Sequence, residues 1–236
     1  MPCDYRAMLK HTTIVFDLDG TLVDTAPDLT HALNHALGQR GHAPVTLEAI
    51  RATVGRGARA MIEEALRVAG INDDIDRMTV DFLLHYERNI AEESRPYPGA
   101  VAALERLAAS GARLAICTNK REQLSRKLLQ ALELEAFFHA IAGRDTFAVS
   151  KPDPGHLTGA IALAGGNPAN AVMVGDSVTD MQTARAAAIP AILVSFGYGP
   201  PPPANLAPDA VIDAFDALEA NAAALVNGLT QAPARS

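Results

Sequence analysis

Short apolar runs alternate with helical patterns over much of the 236-residue chain, and this alternation constrains the fold more than any other feature. It predicts an α/β fold in which a parallel sheet is flanked by helices. The predicted strands are residues 13–16, 113–117, 140–142, 171–174 and 191–194, with 210–213 as a candidate sixth. The predicted helices between and after them are residues 99–110, 122–132, 155–164, 179–188 and 215–225.

The stretch from about residue 27 to residue 95 interrupts this alternation. Its apolar residues recur at helical spacing, as Leu29, Leu33 and Leu37 do, and it contains no convincing strand. We therefore predict an all-helical insertion after the first strand. A helical cap above the edge of a sheet would exclude water and contact a substrate. The alternative is an ordinary packing subdomain.

These patterns divide the chain into three parts. The predicted parts are a discontinuous core (residues 1–23 and 96–228), a helical cap domain (24–95) and a flexible C-terminal tail (229–236). The segment P-Y-P-G at 96–99 marks the return from the cap to the core.

Composition and charge limit the classes of partner. The chain is 49% apolar with a net charge of −7, so no overall positive field favours nucleic acid. It has no apolar run of the roughly 18 residues that a membrane helix needs, and its N-terminus lacks the apolar stretch of a signal peptide. A disulfide between Cys3 and Cys117 is not expected. We expect a cytoplasmic monomer or homodimer that binds a small molecule rather than nucleic acid or a membrane.

The first predicted strand runs directly into two carboxylates, in Asp17-Leu18-Asp19-Gly20-Thr21. Ligands bind at the carboxyl edge of an open α/β sheet, where two aspartates would repel each other without a cation between them. The segment therefore predicts a metal and phosphate chemistry. Asp17 is the candidate nucleophile, already ionised, and Asp19 the group that gives and takes a proton. The alternative is that both aspartates are helix caps or turn residues.

Two further segments carry groups that suit an anion. Thr118, followed by Asn119, comes after the strand 113–117 and could bind a phosphoryl group with its hydroxyl and nearby backbone N–H groups. Lys151 stands in S-K-P-D-P at 150–154, where two prolines fix the backbone and could aim its ammonium at transition-state charge. The alternatives are that Thr118 only caps the next helix and that Lys151 is a surface lysine.

The predicted strand 171–174 is followed by Asp176 and, four residues later, by Asp180. Mg²⁺ binds hard oxygen ligands, usually one or two carboxylates with phosphate and water. We expect Asp176 to bind it together with the Asp17 carboxylate and the backbone carbonyl of Asp19, while Asp180 supports these ligands from behind. The alternative is that Asp176 and Asp180 are the N-cap and first turn of the following helix.

Four segments between Asp17 and Asp180 resemble, in their order, the four motifs of the haloacid dehalogenase-like phosphohydrolase superfamily. These segments are D-L-D-G-T, T-N, K-P-D-P and G-D-S-V-T-D. The second aspartate of the first motif, Asp19, is specific, because the dehalogenases of that superfamily lack it and lack the metal. The resemblance implies a Rossmann-like three-layer core, a helical cap inserted after the first motif, Mg²⁺ and a phosphoaspartate intermediate at Asp17.

Within that superfamily the chain is most similar to the phosphoglycolate phosphatases, which implies hydrolysis of 2-phosphoglycolate. Supporting segments are T-N-K at 118–120, K-P-D-P at 151–154, V-G-D-S at 174–177 and G-Y-G at 197–199. The segment V-G-R-G-A-R at 54–59 resembles the family's cap loop and makes Gly55, Arg56 and Gly57 candidates for substrate specificity. Arg56 stands where members of the family often have a smaller residue. It could bind a substrate carboxylate with two hydrogen bonds, or it could be a solvated surface residue.

Ala188 is a second departure from the family, which usually has glycine before the fifth strand. Alanine pays a steric cost in the left-handed conformation that such a turn requires. We therefore expect this turn to differ from that of the family, at a distance from the chemistry.

Other functions fit part of the pattern. A phosphomutase, such as one acting on β-glucose 1-phosphate, or a sugar-phosphate or pyrophosphate hydrolase could use the same core residues. A phosphoacceptor signalling module of flavodoxin-like fold also places Asp, Thr and Lys at strand ends with Mg²⁺. The nucleophile on the first strand, the second aspartate and the helical insertion argue against that module. A catalytically idle scaffold is disfavoured because all the expected side chains are present.

Overall fold

The computed structural model of the protein describes residues 5–51 and 53–231. Within them the strands are β1 (Thr13–Phe16), β2 (Val23–Asp24), β3 (Arg95–Pro96), β4 (Arg113–Cys117), β5 (Ala140–Ala142), β6 (Ala171–Gly175), β7 (Ala191–Val194) and β8 (Ala210–Ile212). The helices are α1 (Tyr5–Leu9), α2 (Ala26–Gly38), α3 (Leu47–Arg51), α4 (Ala58–Ala69), α5 (Ile75–Arg88), α6 (Ala100–Ala109), α7 (Glu122–Ala131), α8 (Pro154–Leu163), α9 (Val178–Ala186) and α10 (Leu218–Gln231).

The central sheet has the order β5-β4-β1-β6-β7-β8, with all neighbouring strands parallel. β1 lies in the middle, where Phe16 is beside Ile116 of β4 on one side and Val174 of β6 on the other. Ile14 and Phe16 pack into one apolar core and Val15 into the other, because successive side chains of a strand point to opposite faces. The residues that follow β1, β4 and β6 therefore meet at one carboxyl edge.

Helices cover both faces of this sheet, which gives the three layers of an α/β fold. α8 and α9 pack on one face, against strands from β5 to β7. α6, α7 and α10 pack on the other face, with α1 against α6 and α10. The predicted α/β core is thus confirmed, and the predicted strands are correct to within one residue at each end. Within the described residues, no helix is both long and apolar enough to cross a membrane.

The chain between β2 and β3 is helical in its described part, and we call α2 to α5 the helical insertion. Leu29, Met61 and Phe82, which follow the helical spacing, are buried in its apolar interior. α5 packs against both α2 and α4. α4 ends at Gly70 in the left-handed conformation that glycine tolerates, and the side chain of Asp74 caps α5.

The chain enters and leaves the helical insertion at neighbouring points. β2 and β3 form an antiparallel pair in which Asp24 lies opposite Arg95. Close by, the buried carboxylate of Asp28 accepts hydrogen bonds from the N–H groups of Glu93 (3.0 Å) and Ser94 (2.8 Å) and from the Ser94 hydroxyl (2.6 Å). These contacts tie the start of α2 to the segment that returns to the core.

Two sequence-based expectations concern the ends of elements. Ala188 has a φ of 54°, so the turn keeps a left-handed conformation instead of avoiding it, contrary to the expectation. This conformation costs an alanine roughly 1 kcal/mol. α10 continues to Gln231, so the first residues of the predicted tail are helical. Cys3 and the rest of the tail, 232–236, lie outside the described residues.

Candidate active site

The carboxyl edge of the sheet brings together four of the residues predicted from the sequence. Asp17 follows β1, Thr118 follows β4 and Asp176 follows β6, so they come from adjacent strands. Lys151 comes from the loop between β5 and α8. All four residues are buried. Charged groups are rarely buried without partners, so their contacts determine what this edge can do.

Lys151 is the positive centre of the cluster. Its ammonium lies 3.0 Å from Asp17 Oδ1 and 2.6 Å from Asp180 Oδ1. Its backbone N–H donates to Nδ1 of His156 (3.1 Å), and the other ring nitrogen of His156 lies 3.0 Å from the carbonyl oxygen of Gly143. Burial lowers the pKa of His156 to about 4, so the ring is neutral and its Nδ1 can accept. Lys151 is therefore held inside the site and is not a surface lysine.

Asp180 supports this lysine and also caps a helix. Its Oδ1 accepts from Lys151, while its Oδ2 accepts from the N–H (3.1 Å) and the hydroxyl (2.6 Å) of Ser177. Ser177 in turn accepts from the backbone N–H of Asp180 at the start of α9. Both interpretations of Asp180 from the sequence, as a helix-start residue and as a support of the site, agree with these contacts.

Glycines and backbone N–H groups fix Asp176. Its Oδ2 accepts from the Tyr198 N–H (2.7 Å), and its Oδ1 accepts from the Thr21 hydroxyl (3.3 Å). Gly20 has a φ of 83°, and a Cβ there would lie 2.6 Å from Asp176 Oδ2. A Cβ at Gly197 would lie 2.2 Å from the Cβ of Asp176. Both positions therefore require glycine for Asp176 to keep its place.

The charge balance of the cluster favours a further cation. Carboxylate oxygens of Asp17, Asp176 and Asp180 lie within 4.8 Å of one another. Burial raises the pKa of Asp17 to about 7, although Lys151 opposes the shift, and burial raises the pKa of Asp176 to about 6. One ammonium cannot balance three buried carboxylates, so a cation is needed to keep them ionised. The donors are all oxygens, which suits Mg²⁺.

Asp19 has partners that the sequence did not indicate. The Lys120 ammonium lies 2.7 Å from its Oδ1 and 2.9 Å from its Oδ2. The Thr25 hydroxyl donates to Oδ1 at 2.7 Å. The same ammonium lies 4.7 Å from the ring centroid of Tyr86, a buried residue of α5. The only sequence signal for Lys120 was its place after Thr118 and Asn119 in the second motif, and the spacing of Tyr86 indicated burial alone.

Thr118 and Asn119 connect the two segments that carry candidate anion-binding groups. The Thr118 hydroxyl oxygen accepts from the backbone N–H of Lys120 at 3.2 Å. The N-cap of α7 is Arg121 and no side chain caps it, so the alternative that Thr118 only caps this helix is wrong. The Asn119 amide donates to the carbonyl oxygen of Lys151 at 3.2 Å. The second motif is thereby tied to the loop that carries the central lysine.

A cavity of about 840 Å³ lies between this edge and the helical insertion. Its core side includes Asp19, Asn119, Lys120, Arg121 and Arg144, and its insertion side includes Gly55, Gly57, Met61, Val80, Phe82 and Leu84. Arg56 is exposed and does not line the cavity, unlike the two glycines beside it. Arg121 and Arg144 form no ion pair with a described residue. The Arg144 guanidinium reaches across to Gly57, where a Cβ would lie 3.3 Å from its Nη1.

Tyr198 is a further residue whose place the sequence did not reveal. Its hydroxyl donates to Asp24 (2.5 Å) and accepts from the N–H groups of Thr25 (2.7 Å) and Ala26 (3.0 Å). Its own N–H holds Asp176. The G-Y-G segment therefore links the candidate metal ligand to the start of the helical insertion, whereas in the sequence it contributed only a similarity.

Comparisons with known proteins show the family of the chain. The model of the haloacid dehalogenase-like hydrolase family matches residues 14–194. A phosphoglycolate phosphatase of Mesorhizobium japonicum is 51% identical over 213 residues, which are 89% of this chain and 94% of that protein. One of Caulobacter vibrioides is 46% identical, with 88% and 89% covered. The crystal structure of a predicted phosphoglycolate phosphatase from Haemophilus somnus has a TM-score of 0.82 at 28% identity, with 88% and 96% covered.

Proposed function

Since the chain belongs to the haloacid dehalogenase-like hydrolase family and is a phosphatase, we propose that it hydrolyses 2-phosphoglycolate to glycolate and phosphate. The buried cluster of Asp17, Lys151 and Asp176 carries the proposal, because phosphoryl transfer depends on such positioned charges. The name of the relatives from M. japonicum and C. vibrioides supports the choice of substrate. These relatives are enzymes, which makes a signalling module the weaker candidate.

Asp17 is the proposed nucleophile. One of its carboxylate oxygens attacks phosphorus, the bond from phosphorus to the ester oxygen breaks, and a phosphoaspartate remains. Asp19 gives a proton to the ester oxygen, which leaves as the hydroxyl group of glycolate. Water then attacks phosphorus, its proton goes to Asp19, and Asp17 leaves as a carboxylate as phosphate is released.

Lys151 and Thr118 stabilise charge on the transferred group. The Lys151 ammonium lies 3.0 Å from the attacking carboxylate, in a buried site where such a charge acts strongly. Mg²⁺, bound by Asp17, Asp176 and the backbone carbonyl of Asp19, would supply further positive charge to the phosphoryl oxygens. Asp180 holds Lys151 in place, and Asn119 adds to the phosphate-binding loop.

The carboxylate of the proposed substrate needs a cation on the cavity wall. Arg121 and Arg144 line the cavity and, within the described residues, have no ion pair that would compete for a ligand. We assign them as candidate carboxylate-binding residues. Arg56 stays a candidate for the same role and would have to approach through movement of the helical insertion, which we propose acts as a cap. Gly55 and Gly57 remain specificity candidates because both line the cavity.

A phosphate-release assay over a panel of metabolites tests this function. The panel contains 2-phosphoglycolate, sugar phosphates, pyrophosphate and β-glucose 1-phosphate, each with and without Mg²⁺. We expect the highest kcat/KM for 2-phosphoglycolate and little release without Mg²⁺. A higher kcat/KM for another ester would overturn the choice of substrate. An isomerised phosphoester without phosphate release would instead support a phosphomutase.

The setting of the activity follows from charge and cysteine content. The acidic net charge of −7 and the free buried thiol of Cys117 fit a reducing cytoplasm and a small soluble phosphate ester as partner. We propose a monomer or homodimer there. Sedimentation velocity at micromolar concentration measures the oligomeric state, and a larger assembly would contradict this expectation.

A further inference from the structure

The contacts of Lys120 point to a role that the proposed mechanism leaves open. Its ammonium bonds both carboxylate oxygens of Asp19, at 2.7 Å and 2.9 Å, and the two side chains are only 5% and 7% exposed. A buried ion pair in which the ammonium contacts both carboxylate oxygens is strong and fixes the relative position of the two groups. The Thr25 hydroxyl also donates to Asp19. The carboxylate of Asp19 is thereby held in one orientation.

Lys120 is itself fixed from three directions. Its N–H donates to the Thr118 hydroxyl oxygen (3.2 Å) and its carbonyl oxygen accepts from the Arg144 N–H (2.9 Å). Its ammonium lies over the ring of Tyr86, 4.7 Å from the centroid, where a cation is attracted by the ring. Although burial alone would lower the pKa of Lys120, the Asp19 carboxylate and Tyr86 raise it above its ordinary value, so the side chain is a cation.

These contacts form a continuous chain from the helical insertion to the proton-transfer group. Tyr86 belongs to α5, Lys120 to the loop after β4, and Asp19 to the segment after β1. We propose that Lys120 is the positioning residue that holds the Asp19 carboxyl group in the orientation needed for proton transfer, and that Tyr86 of the insertion holds Lys120 in that position. The inference rests on the phosphoaspartate mechanism proposed above, whatever the natural substrate is.

The two half-reactions depend on Lys120 to different degrees. In the second, water attacks the phosphorus bound to Asp17, the bond from phosphorus to Asp17 breaks, and the water proton passes to the Asp19 carboxylate. This step needs the Asp19 carboxylate oriented toward the attacking water, and the two contacts from Lys120 fix that orientation. In the first, p-nitrophenyl phosphate has a leaving group that departs as an anion without a proton. Loss of Lys120 should therefore spare the first half-reaction of this substrate and slow the second.

The test is stopped-flow release of p-nitrophenol from p-nitrophenyl phosphate by the full-length Lys120→Met variant. We expect an initial burst stoichiometric with enzyme, followed by steady-state turnover lowered by about 10²-fold, the low end for general acid–base catalysis. Acid-quenched enzyme should carry covalent phosphate. A proportional loss of both phases, or turnover equal to that of the unchanged protein, would overturn the role of Lys120.

Matched variants keep the test decisive. Lys127→Met removes another lysine of the same region, one that contacts Glu87 of α5 at 3.9 Å, and should leave both phases unchanged. Tyr86→Leu removes the ring beside Lys120 and should slow steady-state turnover several-fold with the burst intact, whereas Tyr86→Phe keeps the ring and the rate. If Lys120→Met does not fold, the two Tyr86 variants decide the question. Equal steady-state turnover of Tyr86→Leu and Tyr86→Phe would refute the proposal.

The outcomes also separate this inference from the mechanism beneath it. Asp17→Asn should lose the burst and the turnover together. If it retains activity, the phosphoaspartate mechanism fails and the role of Lys120 fails with it. If Asp17→Asn is inactive while Lys120→Met loses both phases in proportion, only the role of Lys120 fails.

Discussion

The two walls of the cavity hold their side chains in different ways. On the core wall Asp19 lines the cavity, and Asp17 and Asp176 belong to the buried cluster at the same sheet edge; all three have partners at hydrogen-bonding distance. On the insertion wall Val80 and Leu84 of α5 are 55% and 48% exposed, although they line the same cavity. The core wall holds a fixed array of charges, whereas the insertion wall exposes apolar side chains beside the charged Arg59, Asp76 and Glu87.

This difference suits two kinds of task. Groups that act on phosphorus must hold their geometry before the substrate arrives, and burial with hydrogen bonds achieves this. A surface that selects among substrates can change without disturbing that geometry. Changes in the buried carboxylates and Lys151 should therefore abolish the reaction for every substrate, and changes in the exposed cavity-lining residues should alter the preference among substrates.

The largest expected effect comes from removing the proposed nucleophile, Asp17. Asp17→Asn keeps the shape of the side chain but cannot form the acyl phosphate, so kcat should fall by at least about 10³-fold for every phosphate ester. Phosphate release from 2-phosphoglycolate and from p-nitrophenyl phosphate measures this. Substantial Mg²⁺-dependent activity in the variant, or a loss confined to one substrate, would contradict the division between the walls.

The charge balance of the core wall predicts a dependence of stability on pH and Mg²⁺. Burial raises the pKa of Asp17 from 3.8 to about 7, so the metal-free folded protein binds more protons than the unfolded chain in that window. Stability without Mg²⁺ should therefore fall as the pH rises through it. Mg²⁺ competes with these protons, so it should stabilise the fold at pH 8 by about 2–3 kcal/mol when far above its Kd.

Thermal unfolding at pH 5.5 and pH 8, with MgCl₂ or with KCl of equal ionic strength, measures this effect. The rise in Tm caused by MgCl₂ should be larger at pH 8 than at pH 5.5. An equal rise at both pH values, or an equal rise with KCl, would show that the carboxylates of the core wall do not bind the ion.

Variants of the exposed arginines sharpen the contrast. Arg144→Ala should raise KM for 2-phosphoglycolate by about tenfold, the cost of losing roughly one charged hydrogen bond. It should leave kcat unchanged and spare ethyl phosphate, which has no carboxylate. Arg56→Ala should do the same only if the insertion carries Arg56 into the cavity on closure. Equal losses with both esters would refute carboxylate binding by the arginine concerned.

The smallest predicted effect lies away from both walls. Ala188 is exposed with a φ of 54°, so Ala188→Gly should relieve strain and stabilise the fold by up to about 1 kcal/mol. Its neighbour Ala187 has a φ of −83°, and Ala187→Gly should destabilise by roughly 0.5–1 kcal/mol. Urea unfolding measures both. If both substitutions lowered the free energy of unfolding, the turn at Ala188 would not be strained.

The fold and the core wall could be predicted from the sequence because of how parallel strands assemble. Each of Asp17, Thr118 and Asp176 directly follows an apolar run, and parallel strands bring such positions to a single edge. The order of motifs then added Lys151, which no periodic pattern marks. Such residues can be recognised from the sequence because the signal lies in residues adjacent to them in the chain.

Contacts between the core and the insertion could not be predicted in the same way. The partners Lys120 and Asp19 are far apart in the chain, and Tyr86 lies on a helix whose spacing indicates only that the residue is buried. Which side chain Tyr86 meets depends on how the helices dock against the sheet, and apolar periodicity contains no information on that angle. The cavity-lining place of Arg144 was missed for the same reason.

The paired strands β2 and β3 and the Asp28–Ser94 contacts place the two ends of the insertion side by side, with Asp24 opposite Arg95. The insertion of some 70 residues therefore connects β2 and β3 in the way that a short turn connects the two strands of a β-hairpin. Modules of other sizes could be grafted at this point, or a two-residue turn substituted, without altering the connectivity of the sheet. The same phosphatase core could in this way acquire new substrate preferences by exchange of the helical insertion alone.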